Sequence, residues 1–245
     1  MPLSESASAQ PLLEVRGLTK RFGGLLANDH VDLTVGRAEI VGLIGPNGAG
    51  KTTLFNGLTG QVRVDEGRVI FDGRDLTNRP PEEIARAGIA RTFQLVKVFR
   101  EMTVLDNVIV GAFLRAATRR AARERALEAI RIAGLAQVSA SLAGELPVAL
   151  QKRIELARAL ATGPSLIVLD ESLSGLTPAE TREALEVLRA LRQRTIALLV
   201  VEHVMEVIMT LSDRVVVLDA GRRIASGSPA VVAQDPRVVE AYLGA

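Results

Sequence analysis

The apolar run EIVGLI, Glu39 to Ile44, passes straight into GPNGAGKTT, Gly45 to Thr53, and no other stretch limits the fold so sharply. A short, fully apolar strand, a glycine-rich turn and the opening of a helix form the context in which the pattern G-x-x-x-x-G-K-[ST] carries meaning. Its glycines let the main chain wrap a phosphate, while backbone N–H groups and the helix N-terminus supply the positive ends of dipoles. On this reading Gly45, Pro46, Asn47, Gly48, Ala49, Gly50, Lys51, Thr52 and Thr53 bind the phosphates of a nucleotide. Lys51 is expected to reach the β- and γ-phosphates and the Thr52 hydroxyl to ligate Mg²⁺. A glycine-rich turn that merely joins strand to helix is the plainer alternative.

The rest of the chain is organised around that unit. LLEVRGL and HVDLTV alternate apolar and polar residues and predict strands, with RVIFDG adding another near Gly67 to Gly73. From PPEEIARAG the period lengthens toward 3.6, with Pro81 suited to a first helical turn, and TVLDNVIVGAFLRAA followed by RRAARERALEAIRIAG predicts a helical block. Then come QKRIELARALA (helix), LIVLD (strand), PAETREALEVLRALR (helix), IALLVVE (strand), HVMEVIMTLS (helix) and a hairpin turning at Asp219 to Gly221. Alternating strands and helices predict a parallel sheet covered on both faces. We expect residues 1–11 to form a disordered tail and residues 12–245 one domain, with a helical subdomain inserted at about 95–150.

Further candidates sit at strand ends. LIVLDE buries a strand whose C-terminal end presents Asp170, a direct or second-shell holder of Mg²⁺, and Glu171, placed to orient or deprotonate a water. A solvated strand end is the alternative for this acid pair. His203 follows IALLVVE at the strand end where open parallel sheets place their ligand crevice, although a lone His is more often a packing residue. Gln94, in ARTFQ, carries an amide that can meet the metal or the water. Phe22, in TKRFGG, can stack on an adenine face or simply join the core.

In this order, Phe22, GPNGAGKT, Gln94, LIVLDE and His203 resemble the ATP-binding subunits of ABC transporters, with the likeness running from about residue 12 to the C-terminus. The resemblance implies an α/β P-loop NTPase with a mixed sheet core, an N-terminal antiparallel β part and a helical subdomain. It makes these residues the A-loop, Walker A, Q-loop, Walker B with its catalytic glutamate, and switch histidine. FGGLLA, ARTFQ, FREMTVLDNV and the ending IASGSPAVVAQDPRVVEAYLG are similar to subunits of branched-chain (hydrophobic) amino-acid importers. That likeness implies ATP and Mg²⁺ as cofactors, integral membrane permeases and a second ABC ATPase as partners, a periplasmic or extracellular solute-binding protein indirectly, and a peripheral place on the cytoplasmic face of the membrane.

Two segments depart from the family pattern. Where it reads close to L-S-G-G-Q, this chain has LPVAL, with Pro147 at the Ser, Ala149 at a Gly and Leu150 at the Gln. Proline removes a hydroxyl and a backbone donor, and the added side chains keep a phosphate from the main chain. In ESLSGLTPAE, Ser172 replaces the usual Pro and Thr177 stands where an Asp or Asn closes the dimer. Residues acting on the chain's own ATP are kept while those acting on a partner's ATP are eroded. A heterodimer with an intact sister ATPase is therefore expected over a homodimer.

Composition narrows the rivals. With aromatics at 3%, no Trp and a net charge of +2, a stacked single-strand nucleic-acid surface is hard to assemble. The basic run TRRAARERALEAIR reads as a solvated helix face mixing Arg with Glu124 and Glu128, and no nucleic-acid partner is expected. The absence of Cys removes disulfides and thiolate chemistry. No signal peptide or membrane span is expected. A nucleotide-gated regulatory module with little turnover remains the main alternative, favoured by LPVAL and opposed by Glu171 and His203. The segment LVKVFREMTV, with Leu95, Val96, Val98 and Phe99, is either a docking site for a permease helix or subdomain core.

Overall fold

The computed structural model describes residues 10–92, 96–202 and 204–243, with nothing described for the side chain of residue 243. The calls on Gln94, Leu95 and His203 therefore lie outside the described residues, as does most of the expected tail. Gln10 is exposed, whereas Leu12 is already in the core.

The N-terminal part is a four-stranded sheet in which β1 (Leu13–Phe22) pairs antiparallel with β2 (Leu25–Val35) and with β4 (Glu66–Phe71), and β4 pairs with the short β5 (Arg74–Asp75). Alternation along β1 and β2 sends Leu13, Val15, Val31, Leu33 and Val35 inward, as a half-buried strand requires. Between them in sequence and against this sheet lie β3 (Ile40–Ile44) and α1 (Lys51–Leu58), whose Leu54, Phe55 and Leu58 share a core with both sheets.

A second sheet of six strands has the order β10, β9, β3, β8, β7, β6, with β6 (Ile89–Arg91), β7 (Leu166–Asp170), β8 (Ala197–Val201), β9 (Arg214–Asp219) and β10 (Arg222–Gly227). β6, β7, β8, β3 and β9 run parallel; β10 returns antiparallel through the expected hairpin. Every residue of β3, β7 and β8 is buried, because helices cover one face and the first sheet with α1 the other. The register sets Leu43 opposite Val201 and Val201 opposite Asp170, so the C-terminal ends of β3, β8 and β7 form one level edge.

The helices start where local chemistry dictates. In α2 (Pro81–Ala87) proline occupies the first turn and Gly88 closes the helix at φ 119°. α6 (Pro178–Gln193) opens with a reciprocal capping box between Thr177 and Glu180. Thr177, one of the two departures in ESLSGLTPAE, is thus the N-cap of α6. α7 (Met205–Leu211), α8 (Pro229–Ala233) and α9 (Pro236–Leu243) complete the C-terminal part.

Between the adjacent strands β6 and β7 the chain makes a long helical excursion. α3 (Val104–Ala112) is capped by Thr103 and α4 (Arg119–Ile132) by Thr118. The apolar period TVLDNVIVGAFLRAA suggests a longer first helix, but α3 ends at Ala112 and the chain turns before Thr118 can start the next. α5 (Val148–Ala161) begins three residues before Gln151, directly after Pro147. The three helices meet through small residues, Ala112, Ala122, Ala126, Ala129 and Ala157, which bring their backbones close. At Gly111 the approach is tightest: a Cβ there would stand 2.2 Å from the Arg158 carbonyl oxygen. Val98 packs on this core, whereas Phe99 is half exposed with the Arg158 guanidinium 5.4 Å from its ring centre.

Because the added methyl would press on backbone, Gly111→Ala is expected to destabilise the fold by about 1–3 kcal/mol. The check is urea unfolding, with a lower midpoint and an unchanged m-value. A midpoint equal to that of the parent chain would show that α3 and α5 separate freely.

Candidate functional site

β3 ends at Ile44 and the chain then crosses Gly45 to Gly50 before α1 begins at Lys51. Gly50 is the N-cap, in the left-handed region at φ 95°, and α1 has no side-chain cap. Its first-turn N–H groups therefore face an open cradle at the positive end of the helix. A Cβ at Gly50 would lie 2.3 Å from the Ala27 carbonyl oxygen, so only glycine lets the loop rest on β2. Asn28, fully buried on the same strand, donates through its amide to the Gly50 carbonyl at 3.2 Å. From the other side the β9–β10 turn holds the loop, the Gly221 N–H donating to the Ala49 carbonyl at 3.2 Å. Asn47 and Gly48 face solvent, and Ala49 is buried.

Lys51 is buried, and its ammonium donates to the carbonyls of Gly45 at 2.6 Å and Pro46 at 2.9 Å. Burial pushes its pKa below the ordinary lysine value, while the charges of Glu171 and Asp170 pull the other way. The structure thus brings Lys51, Asp170 and Glu171 to one edge, as the level strand ends require. Thr52 is exposed at the start of α1 and Thr53 is partly covered.

Asp170 ends β7 and is almost fully buried. One of its carboxylate oxygens accepts from the Arg91 guanidinium at 2.6 Å. Arg91 also donates to the Asn56 side-chain oxygen at 2.7 Å and to the Thr59 hydroxyl at 3.2 Å, which joins β6 and β7 to α1. Glu171 has φ 49°, a left-handed backbone uncommon for a residue with a side chain, and its N–H donates to the Val201 carbonyl at 2.9 Å. The next residue of β8's edge, Glu202, is buried and accepts from the Leu173 N–H at 2.7 Å.

Phe22 stands at the tip of the β1–β2 hairpin, half exposed, with the Lys20 ammonium 5.2 Å from its ring centre. Its partner Leu25 is two residues, roughly 7 Å of strand, from the Ala27 that touches Gly50. The hairpin tip and the loop are thus neighbours. Arg91, Asn28 and Glu202 are site residues that the motif reading passed over. Arg91 and Glu202 carried a signal, since a charged residue at the end of an otherwise apolar strand must find a buried partner; Asn28 on the half-polar β2 carried none.

The donors present suit a nucleotide and a hard cation. An uncapped helix N-terminus with a lysine beside it offers an anion several N–H groups and a charge. Among the described residues no group of three or more His, Asp or Glu side chains is arranged to hold a metal. The Thr52 hydroxyl and the Asp170 carboxylate are oxygen donors of the kind a hard cation takes, usually one or two from the protein with phosphates and water completing the shell.

At the entry to α5, Pro147 is the N-cap and supplies no side-chain cap. Its carbonyl accepts from the N–H groups of Leu150 and Gln151, each at 3.0 Å, and the Gln151 amide turns back to the Leu146 carbonyl at 2.7 Å. The outermost side chain there is the apolar Val148, 58% exposed, so this helix start presents neither a hydroxyl nor a glycine backbone.

Comparison with known proteins gives the same picture. A family model described as ABC transporter matches residues 28–174, and one described as branched-chain amino acid ATP-binding cassette transporter matches residues 222–245. The chain is 40% identical to the high-affinity branched-chain amino acid transport ATP-binding protein BraF of Pseudomonas aeruginosa, over 96% of this chain and 99% of that protein. Among solved structures it is similar to the ADP conformation of an ATP-binding cassette of an ABC transporter, with a TM-score of 0.88 at 33% identity over 97% of this chain and 100% of the other. It is also similar to a dimeric, post-hydrolysis cassette bound to ADP and Pi, with a TM-score of 0.78 at 25% identity over 89% and 98%. With a phosphate loop set between β3 and α1 and a matching relative along nearly its whole length, the chain belongs to the ABC transporter family, as one of its ATP-binding cassettes.

Proposed function

We propose that this cassette hydrolyses ATP to power a membrane importer for branched-chain or other hydrophobic amino acids, working on the cytoplasmic face as a dimer with an intact sister ATPase. The observation that carries the reading is the convergence of Lys51, Asp170 and Glu171 on the uncapped N-terminus of α1, in a chain alike to BraF from end to end. Among the described residues no helix is long and apolar enough to cross a membrane, so the solute's path is assigned to permease subunits.

In the proposed mechanism the loop from Gly45 to Thr53 wraps the phosphates of ATP with its N–H groups. Lys51 exchanges its two carbonyl partners for β- and γ-phosphate oxygens, adding charge where the transition state accumulates it. Phe22 offers a half-exposed ring to the adenine. Glu171, on its strained backbone, orients and deprotonates the attacking water, with Gln94 and His203 assigned to the same chemistry from beyond the described residues. The Thr52 hydroxyl and the Asp170 oxygen not held by Arg91 would hold Mg²⁺, which when bound would supply positive charge to the reacting phosphates. Closure of the dimer on ATP and its reopening after hydrolysis would move the permeases. A solute-binding protein would act on the far side of those permeases.

The sister ATPase follows from α5. A helix start headed by Pro147 and capped outward by Val148 offers a partner's γ-phosphate little to bind, which supports one working composite site: this chain's own Walker residues closed by the sister's signature.

Three outcomes are expected. Lys51→Ala should weaken binding of a fluorescent ATP analogue by about 10- to 150-fold, the cost of losing a charged hydrogen bond; unchanged affinity would remove Lys51 from the site. Steady-state ATPase activity should appear when the chain is mixed with its sister and disappear with Glu171→Gln, while turnover by the chain alone at tens per second, within the ordinary enzyme range, would reject the heterodimer. Replacing Pro147, Val148, Ala149 and Leu150 with Ser, Gly, Gly and Gln should raise turnover of the chain alone by about tenfold or more, as expected if an electrostatic phosphate clamp has been restored. No rise would mean that LPVAL is not what silences the second site.

A further inference from the structure

α5 is stripped of its outward phosphate contacts, yet one turn further in it makes a contact with the chain's own site. The Lys152 ammonium donates to the Ser174 carbonyl at 2.5 Å and to the Ser174 hydroxyl at 3.4 Å. Ser174 in turn bonds Glu171: its N–H and its hydroxyl donate to the Glu171 carbonyl at 3.3 and 3.0 Å. Lys152, Ser174 and Glu171 therefore form a continuous chain from the signature helix to the backbone carbonyl of Glu171, the residue that follows β7.

This tie lies where the backbone needs one. Glu171 is held at φ 49°, a conformation that persists only when the surroundings over-determine it. Two restraints come from β8, through the Val201 carbonyl and the Glu202 carboxylate. The third, from Lys152, pins the other end of the turn. The ammonium is partly desolvated, which lowers its pKa, and it sits in the field of Glu202, Glu155 and Glu171. A lysine withdrawn from water in this way must recover the cost from well-placed partners. Ser172, the residue standing in place of a proline, adds no restraint of its own, since its hydroxyl oxygen is buried without a hydrogen bond.

We infer that Lys152 is a positioning residue for ATP hydrolysis: from a helix that no longer clamps a partner's phosphate, it fixes the turn that aims Glu171 at the attacking water in its own subunit. The inference rests on the proposed role of Glu171. It explains why α5 remains an intact, charged helix behind an eroded entrance. Its inner face serves this subunit's own site.

The test uses the assembled transporter with the sister ATPase in place. Lys152→Met keeps the stem and removes the donors; Lys152→Arg restores a cation. Misplacement of a catalytic group by about 1 Å costs up to about a hundredfold in rate, so Lys152→Met should lower kcat about 10- to 100-fold with KM for ATP within about twofold. Lys152→Arg should recover much of the loss, and added to Glu171→Gln the Met change should cause no further fall. In the ATP-bound chain, amide hydrogen exchange over residues 171–175 should quicken in Lys152→Met. The inference is overturned if kcat is unchanged, or if kcat falls only in step with the melting temperature and exchange over 171–175 stays as it was. Should Glu171→Gln itself keep full turnover, the role of Glu171 fails separately, and hydrogen exchange alone then decides whether Lys152 holds the turn.

Discussion

Leu43, Val201 and Asp170 stand side by side across three parallel strands, and the chemistry of the molecule hangs from that row. With all three strands buried on both faces, a slip of one residue would exchange every side chain between two differently packed cores, and this holds the parallel register. Fixing the register fixes the distance from the loop after β3 to the carboxylates after β7. The buried Arg91–Asp170 pair then locks the arrangement sideways into α1. Removing one partner of such a pair strands a charge in a dry interior, which costs far more than the pair's net worth.

The site is also a place where local preferences are overruled. Glu171 adopts a backbone that glycine would take without cost, Lys51 is buried, and Asp170 is nearly so. Each is unfavourable alone. Together they bring one cation and two anions to the mouth of a helix dipole, where the fields partly cancel until a polyanion arrives. An uncapped α1 is part of the same arrangement, since a Ser or Asp cap would occupy the N–H groups a phosphate needs.

Much of this could be read from the chain because the signals were local. Continuous aliphatic runs announced β3, β7 and β8, and Pro81 marked a helix start by chemistry confined to a few residues. What escaped was non-local. α3 ends at Ala112 although the apolar pattern beyond it looks helical in isolation, and the close approach of Gly111 to Arg158 is a tertiary contact with no local signal. Arg91 pairs with a residue in β7, far along the chain, and Asn28 supports Gly50 from a different sheet; neither pairing has a spacing to betray it. Thr177 reads in the sequence as a departure from a family pattern, whereas its capping box with Glu180 is seen only in the fold.

The phosphate loop leans on β2 in front and on the turn at Gly221 behind. Those supports emerge from the ribosome at very different times. The motif itself is complete at Thr53, yet its rear wall, and the β9 strand that flanks β3, lie more than 150 residues further along the chain. A nascent chain therefore carries the whole nucleotide motif well before the β9–β10 hairpin that walls it at Ala49 has been made.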